Sequence, residues 1–169
     1  FDFVGDSPQT LSLSDSLTLK SVLINNSDNV SLTGGNLSIA DTLELTSGHL
    51  NLGGNTLTLT QAAVHQGFTG GDSTSFVTNG FITKQILGGS GENSTAPAQR
   101  NYVRYPLGVG SNDFRPLDLF FTDDPVDDIL VTVSHTNESP EGTVFNSSVS
   151  DADVTKYPDF YWTLESSQS

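Results

Sequence analysis

Aliphatic residues in the first 60 positions come in couplets whose members are separated by one residue, usually a polar one. Leu11/Leu13, Leu17/Leu19, Val22/Ile24, Val30/Leu32, Leu37/Ile39, Leu43/Leu45, Leu50/Leu52 and Leu57/Leu59 follow one another at spacings of five to eight residues. A period of two places both members of a couplet on the same face of a β-strand and turns the residue between them outward. Between couplets lie Asn25-Asn-Ser-Asp-Asn29, Gly34-Gly-Asn36, Ser47-Gly48 and Gly53-Gly-Asn55. Glycine and asparagine tolerate positive φ, so these segments are predicted to be corners.

The couplets also return at longer range. Leu32-Thr-Gly-Gly-Asn-Leu-Ser-Ile39 is echoed by Leu52-Gly-Gly-Asn-Thr-Leu-Thr-Leu59, and Leu17/Leu19, Leu37/Ile39 and Leu57/Leu59 recur at steps of 20 residues. About three strands fit within each step. A fixed period of this length marks a solenoid, in which each repeat buries its apolar face on its neighbour. A meander of hairpins is the plainer alternative, but it gives no reason for the same motif to return after three strands. The pattern predicts a short three-sided parallel β-helix of about 20 residues per coil, occupying residues 1–90.

Beyond Leu59 the rhythm changes. Phe76-Val-Thr78 and Phe81-Ile-Thr-Lys-Gln-Ile86 read as two strands of a last coil, and Gly88-Gly-Ser-Gly-Glu-Asn-Ser-Thr-Ala-Pro97 reads as a boundary loop. Tyr102-Val-Arg-Tyr-Pro-Leu107 reads as the next strand. Leu117-Asp-Leu-Phe-Phe121 and Ile129-Leu-Val-Thr-Val-Ser134 are two strands joined by an Asp/Pro-rich turn, and Phe160-Tyr-Trp-Thr-Leu164 begins a further one. Aromatic and β-branched strands at these intervals predict an antiparallel β-sandwich-like domain over 91–169, incomplete at its C-terminus. No segment has helical periodicity, so the fold class is all-β.

Composition fits this picture. The apolar fraction is only 34%, as expected where half of each strand faces solvent. Regular couplets and ten Phe argue against disorder. A net charge of −14, with most acids after residue 90, disfavours nucleic acid and anionic membrane as partners. The absence of Cys excludes disulfides and thiolate metal sites. No apolar run approaches the roughly 18–20 residues needed to cross a bilayer as a helix, so membrane insertion is not expected. The chain opens at Phe1 without an initiator Met and is read as a mature or excised piece of something longer.

Phe3-Val-Gly-Asp-Ser-Pro-Gln-Thr10, Val22-Leu-Ile-Asn-Asn-Ser27, Val30-Ser-Leu-Thr-Gly-Gly-Asn-Leu37 and Leu43-Glu-Leu-Thr-Ser-Gly-His-Leu-Asn-Leu52 form a series that resembles the repetitive stalk regions of large secreted surface proteins of the Bacteroidota. Many of those proteins are adhesin-like and leave the cell by the type IX secretion system. The second half resembles the segment that follows such stalks. Tyr105-Pro-Leu-Gly108 matches a Phe/Tyr-Pro-Val-Gly motif, Phe114-Arg-Pro-Leu117 a Tyr-Arg-Pro motif, and Tyr161-Trp-Thr-Leu164 a Tyr-Trp-aliphatic ending. The resemblance implies a cell-surface or secreted structural module. Its expected partners are the secretion machinery, other surface proteins and glycans, with self-association as a further expectation. Asp15-Ser16-Leu17, Asp41-Thr42-Leu43 and Asp72-Ser73-Thr74 resemble the O-glycosylation sites of Bacteroidota glycoproteins, which makes Ser16, Thr42 and Ser73 the glycosylation candidates.

Chemistry-bearing constellations are few. Asp123, Asp124, Asp127 and Asp128 crowd one turn and are the candidate Ca²⁺ ligands, although EF-hand spacing is absent and a solvated turn is the default explanation. No other cofactor is expected. His49, His65 and His135 lack ligand spacing and read as solvent-facing or turn residues. Thr18, Ser38 and Thr58 align at the 20-residue step as an outward hydroxyl column, which ordinary strand preference explains. Tyr157 and Trp162 are the aromatics whose exposure would suggest a carbohydrate platform. No nucleophile elbow occurs, and carboxylate pairs carry no signal in a chain with 20 acids. The expectation is therefore an extracellular, non-enzymatic spacer and interaction module without catalytic residues. A carbohydrate-binding or carbohydrate-processing β-helix and a filament subunit are the alternatives.

Overall fold

A couplet can be buried only if another couplet lies over it, and stacking coils achieves this. The computed structural model describes residues 1–60, 68–86, 102–120, 125–138 and 160–168. These residues form strands and turns without a helix, and the chain winds into a β-solenoid of about four turns.

Three parallel ladders make the three sides. Face one stacks the first part of β3 (Leu17–Asn26), then the first part of β5 (Leu37–Ser47), β7 (Thr56–Leu59) and β10 (Phe81–Ile86). Face two stacks β1 (Asp2–Gly5), the later parts of β3 and β5, and β8 (Phe68–Gly70). Face three stacks β2 (Gln9–Ser12), β4 (Val30–Thr33), β6 (Leu50–Asn51), β9 (Val77–Thr78) and β12 (Leu107–Val109). β3 and β5 each turn a corner without leaving the strand, and their pairing shifts register between Leu19 and Ser21 at that bend.

The registers match the couplets. Leu17 pairs with Leu37, Leu37 with Leu57, and Leu57 with Ile82; Val30 pairs with Leu50. Ile24, Val30, Ile39, Leu43, Leu52 and Leu57 are fully buried. The repeat is even only in the first coils. From Leu57 to its partner Ile82 the step is 25 residues, and from Leu50 to Val77 it is 27, because extra chain enters at the corners.

Corners close through backbone contacts that side chains would block. Gly34 adopts φ 91°, and a Cβ there would lie 2.0 Å from the carbonyl oxygen of Leu13 in the coil below. Asparagines act as rungs between coils: the buried Asn26 donates Nδ2 to the Ser7 carbonyl at 2.8 Å, and Asn36 Oδ1 accepts from the Thr56 N–H at 2.9 Å. The polar residues between couplets thus hold the coils in register.

The two ends of the tube differ. At the first coil β1 and β2 are edge strands, and Phe3, Leu11, Leu13 and Leu17 are only partly covered. At the other end face one continues with two antiparallel strands, β15 (Ile129–Thr136) and β16 (Tyr161–Gln168). A two-stranded sheet of β11 (Tyr102–Tyr105) and β14 (Leu117–Phe120) contributes Val103 and Tyr105 to the same core as Val131 and Val133, giving the sandwich-like portion. The strands at 117–121 and 129–134, expected as neighbours across a turn, therefore enter different sheets. The aromatic-rich half is also woven into the solenoid, since β12 stacks on β9 and β15 pairs with β10.

Candidate functional site

The residues with the most distinctive environments gather where the solenoid meets this cap. In face one the inward column Leu19–Ile39–Leu59 is continued by Lys84, fully buried beside Val131. Its Nζ donates to the Arg104 carbonyl at 2.5 Å and lies 5.3 Å from the Tyr105 ring centroid. Burial draws the Lys84 pKa down to about 7, against the opposing pull of the Asp118 carboxylate. That carboxylate is held by Arg104 in a two-pronged pair at 2.8 and 3.0 Å. Tyr105 donates its hydroxyl to the Val131 carbonyl at 3.0 Å, and burial raises its pKa.

A second cluster centres on Arg115, which follows β13 (Asp113–Phe114). Its guanidinium grips both carboxylate oxygens of Asp113, donates Nη1 to Asn137 Oδ1 at 2.8 Å, and stacks 4.2 Å from the Phe160 ring centroid. Trp162 Nε1 donates to the Arg115 carbonyl at 3.2 Å, and Phe160 meets Trp162 edge-on. His135 sits against both rings. Desolvation and the neighbouring Arg115 charge lower its pKa, with Asp113 opposing, so the imidazole is held neutral.

The turn between β12 and β13 folds back over the outside of face three. His49, 6% exposed, anchors it: Nδ1 accepts from the Phe76 N–H at 3.3 Å, so Nε2 carries the proton and donates to the Ser111 carbonyl at 3.0 Å. Phe76 fills the space over Gly108, where a Cβ would fall 2.3 Å from the ring. Beneath the turn runs a shallow groove of mixed polar and apolar surface with Asn51 and Thr78 on its floor.

These positions explain the motifs in the second half. Tyr105 and Gly108 of the Tyr-Pro-Leu-Gly segment seat the cap on the last coils, and Arg115 and Trp162 of the other two motifs bind one another. No known family model, curated protein or solved structure matches this chain.

The remaining candidates are dispersed. Asp123 and Asp124 lie outside the described residues; Asp127 is exposed and Asp128 half-buried. Among the described residues no three His, Asp or Glu side chains come together as a metal site. Ser16 and Ser73 are exposed in turns, whereas Thr42 is half-buried on face two, paired with Ser21. His65 and Tyr157 lie outside the described residues, and Trp162 is half-buried. His49 sits at a corner, one of the two settings expected, but it is a buried anchor there and not solvent-facing, because Phe76 and the turn after β12 cover it. The hydroxyl column exists and extends from Thr58 to Thr83, but Thr83 is buried and bonded to Thr132 Oγ1 at 2.8 Å.

Sequence reading missed Lys84 and Arg115. Lys84 carried a signal: the pair Ile82/Lys84 has couplet spacing, which places the lysine on the inward side. Arg115 stood in the Phe114-Arg-Pro-Leu117 motif, but apart from Asp113 its partners come from two distant segments, Asn137 and Phe160–Trp162, which nothing local announces.

Proposed function

We propose that this chain is a non-enzymatic structural module of a larger extracellular or cell-surface protein, acting as a stiff spacer that presents its corner loops. The observation that carries the reading is the unbroken inward ladder Leu17–Leu37–Leu57–Ile82, closed over by the cap strands. Every coil is bonded to the next on three sides, so bending the tube requires breaking several ladders together. The distinctive side chains at the cap bind one another, as fits a seal rather than a reaction centre. The resemblance to secreted Bacteroidota stalks supports an extracellular setting and type IX export. The acidic surface supports solubility and keeps neighbouring stalks apart. Ser16 and Ser73, exposed in turns, are the better placed of the glycosylation candidates.

The chain contains no Cys, so spin labels can be introduced cleanly at Asp15→Cys near the open end and Thr163→Cys in the cap. A stiff spacer gives a single narrow inter-label distance that is unchanged by salt. A broad or multi-peaked distribution would rule the spacer out.

A further inference from the structure

We propose that the groove on face three, at the junction of solenoid and cap, binds an uncharged oligosaccharide. Ser31, Asn51 and Thr78 are register partners in successive coils and line its floor. The 110–113 turn forms a wall, pinned by the His49–Ser111 bond. Two adjoining hollows of about 340 and 320 Å³ share Asn51, Thr78 and Gly110. Each is at the small end of the range for ligand sites, a size suited to one sugar unit.

The way the amides are held defines the ligand. Asn29 Oδ1 accepts from the His49 N–H at 2.8 Å, Asn51 Oδ1 from the Gly53 N–H at 2.9 Å, and Asn137 Oδ1 from Arg115 at 2.8 Å. Those partners can only donate, so the oxygen must face each of them and the amide orientations are settled. The Nδ2 groups of all three, and the Thr78 hydroxyl, make no hydrogen bond to a described residue. The groove therefore presents several fixed donors that are neutral, with no Lys or Arg in its lining.

Such a surface needs a partner rich in acceptor oxygens. A polyanion is repelled by a chain of net charge −14. A peptide brings as many N–H donors as carbonyls, and of the lining amides only Asn79, whose Nδ2 donates to Asn51 Oδ1, leaves its oxygen open to accept. A neutral glycan fits, because its ring, glycosidic and hydroxyl oxygens all accept, and its hydroxyls can also donate to Asp28 at the far end.

Affinity electrophoresis through gels of xylan, β-glucan, α-mannan or dextran tests this, with alginate and polygalacturonate as acidic comparators. Asn51→Asp and Asn137→Asp retain the pinned oxygen and replace the donor by a carboxylate oxygen that can only accept. The expected result is retardation by at least one neutral polymer, weakened about tenfold by either substitution. The face-one variant Thr58→Val should bind like the parent, and unchanged melting temperatures would show that the variants fold. Side-chain amide NMR signals of Asn29, Asn51 and Asn137 in the parent protein should shift with oligosaccharides cut from the retarding polymer. Failure of every neutral polymer to retard, preference for the acidic ones, binding that survives both substitutions, or amide shifts with tetra-alanine in place of the glycan would each overturn the proposal.

Discussion

Among the described residues Lys84 is the one charged side chain inside the aliphatic ladder, and it makes stability depend on pH in a defined direction. Its pKa is near 7 in the folded protein and 10.5 for a free lysine, so between those values the unfolded chain binds more protons. Stability therefore rises with pH across that window, by at most about 1.4 kcal/mol per pH unit. Tyr105 acts the other way only in stronger base, where the unfolded phenol ionises first. Lys84→Met should raise the melting temperature at pH 7 and flatten the rise toward pH 9, as measured by calorimetry at several pH values; an unchanged slope would refute the assignment. Arg115→Lys should cost about 1–2 kcal/mol, because an ammonium cannot grip Asp113 with two prongs and stack on Phe160 together. The chain has a single Trp, so a red-shifted Trp162 emission below the melting point would report the loosened cap.

At the level of elements, the ladders predict a gradient of sensitivity. Leu37 is buried between Leu17 and Leu57, so Leu37→Ala should destabilise by about 2–5 kcal/mol in urea unfolding. Leu17 lies at the uncovered first coil, and Leu17→Ala should cost less than half as much. Equal losses would mean that the first coil is covered in solution. The strands of the first three coils were legible in the sequence because period-two couplets and Gly/Asn corners are local signals. The partners of β14 and β15 were not. Tyr105, Val103 and Val131 can bury their side chains only by placing those two strands in facing sheets, and nothing local distinguishes that from a hairpin.

On the scale of the whole molecule, cap and solenoid share hydrogen-bonded ladders through β9–β12 and β10–β15. Denaturation followed by Trp162 fluorescence, a cap signal, should therefore coincide with denaturation followed by far-UV circular dichroism. Two separated transitions would show that 1–90 and 91–169 unfold independently. The same architecture bears on self-association. The first coil offers unpaired strand edges, and at the cap end the face-one sheet finishes on β16, which is paired only with β15 and runs in the same direction as the coil strands.

The sequence by itself determined the all-β class, the inward couplets and the coil period, because burial on a two-residue beat and positive-φ corners are properties of neighbouring residues. Only the tertiary structure decided which side chains meet at the cap. Lys84 with Arg104, Arg115 with Asn137 and Trp162, and His49 with Ser111 are separated by 20 to 62 residues. Their meeting follows from how strands choose partners to close the end of the tube. The same closure creates the groove, because its floor comes from successive coils and its wall from a turn laid over them.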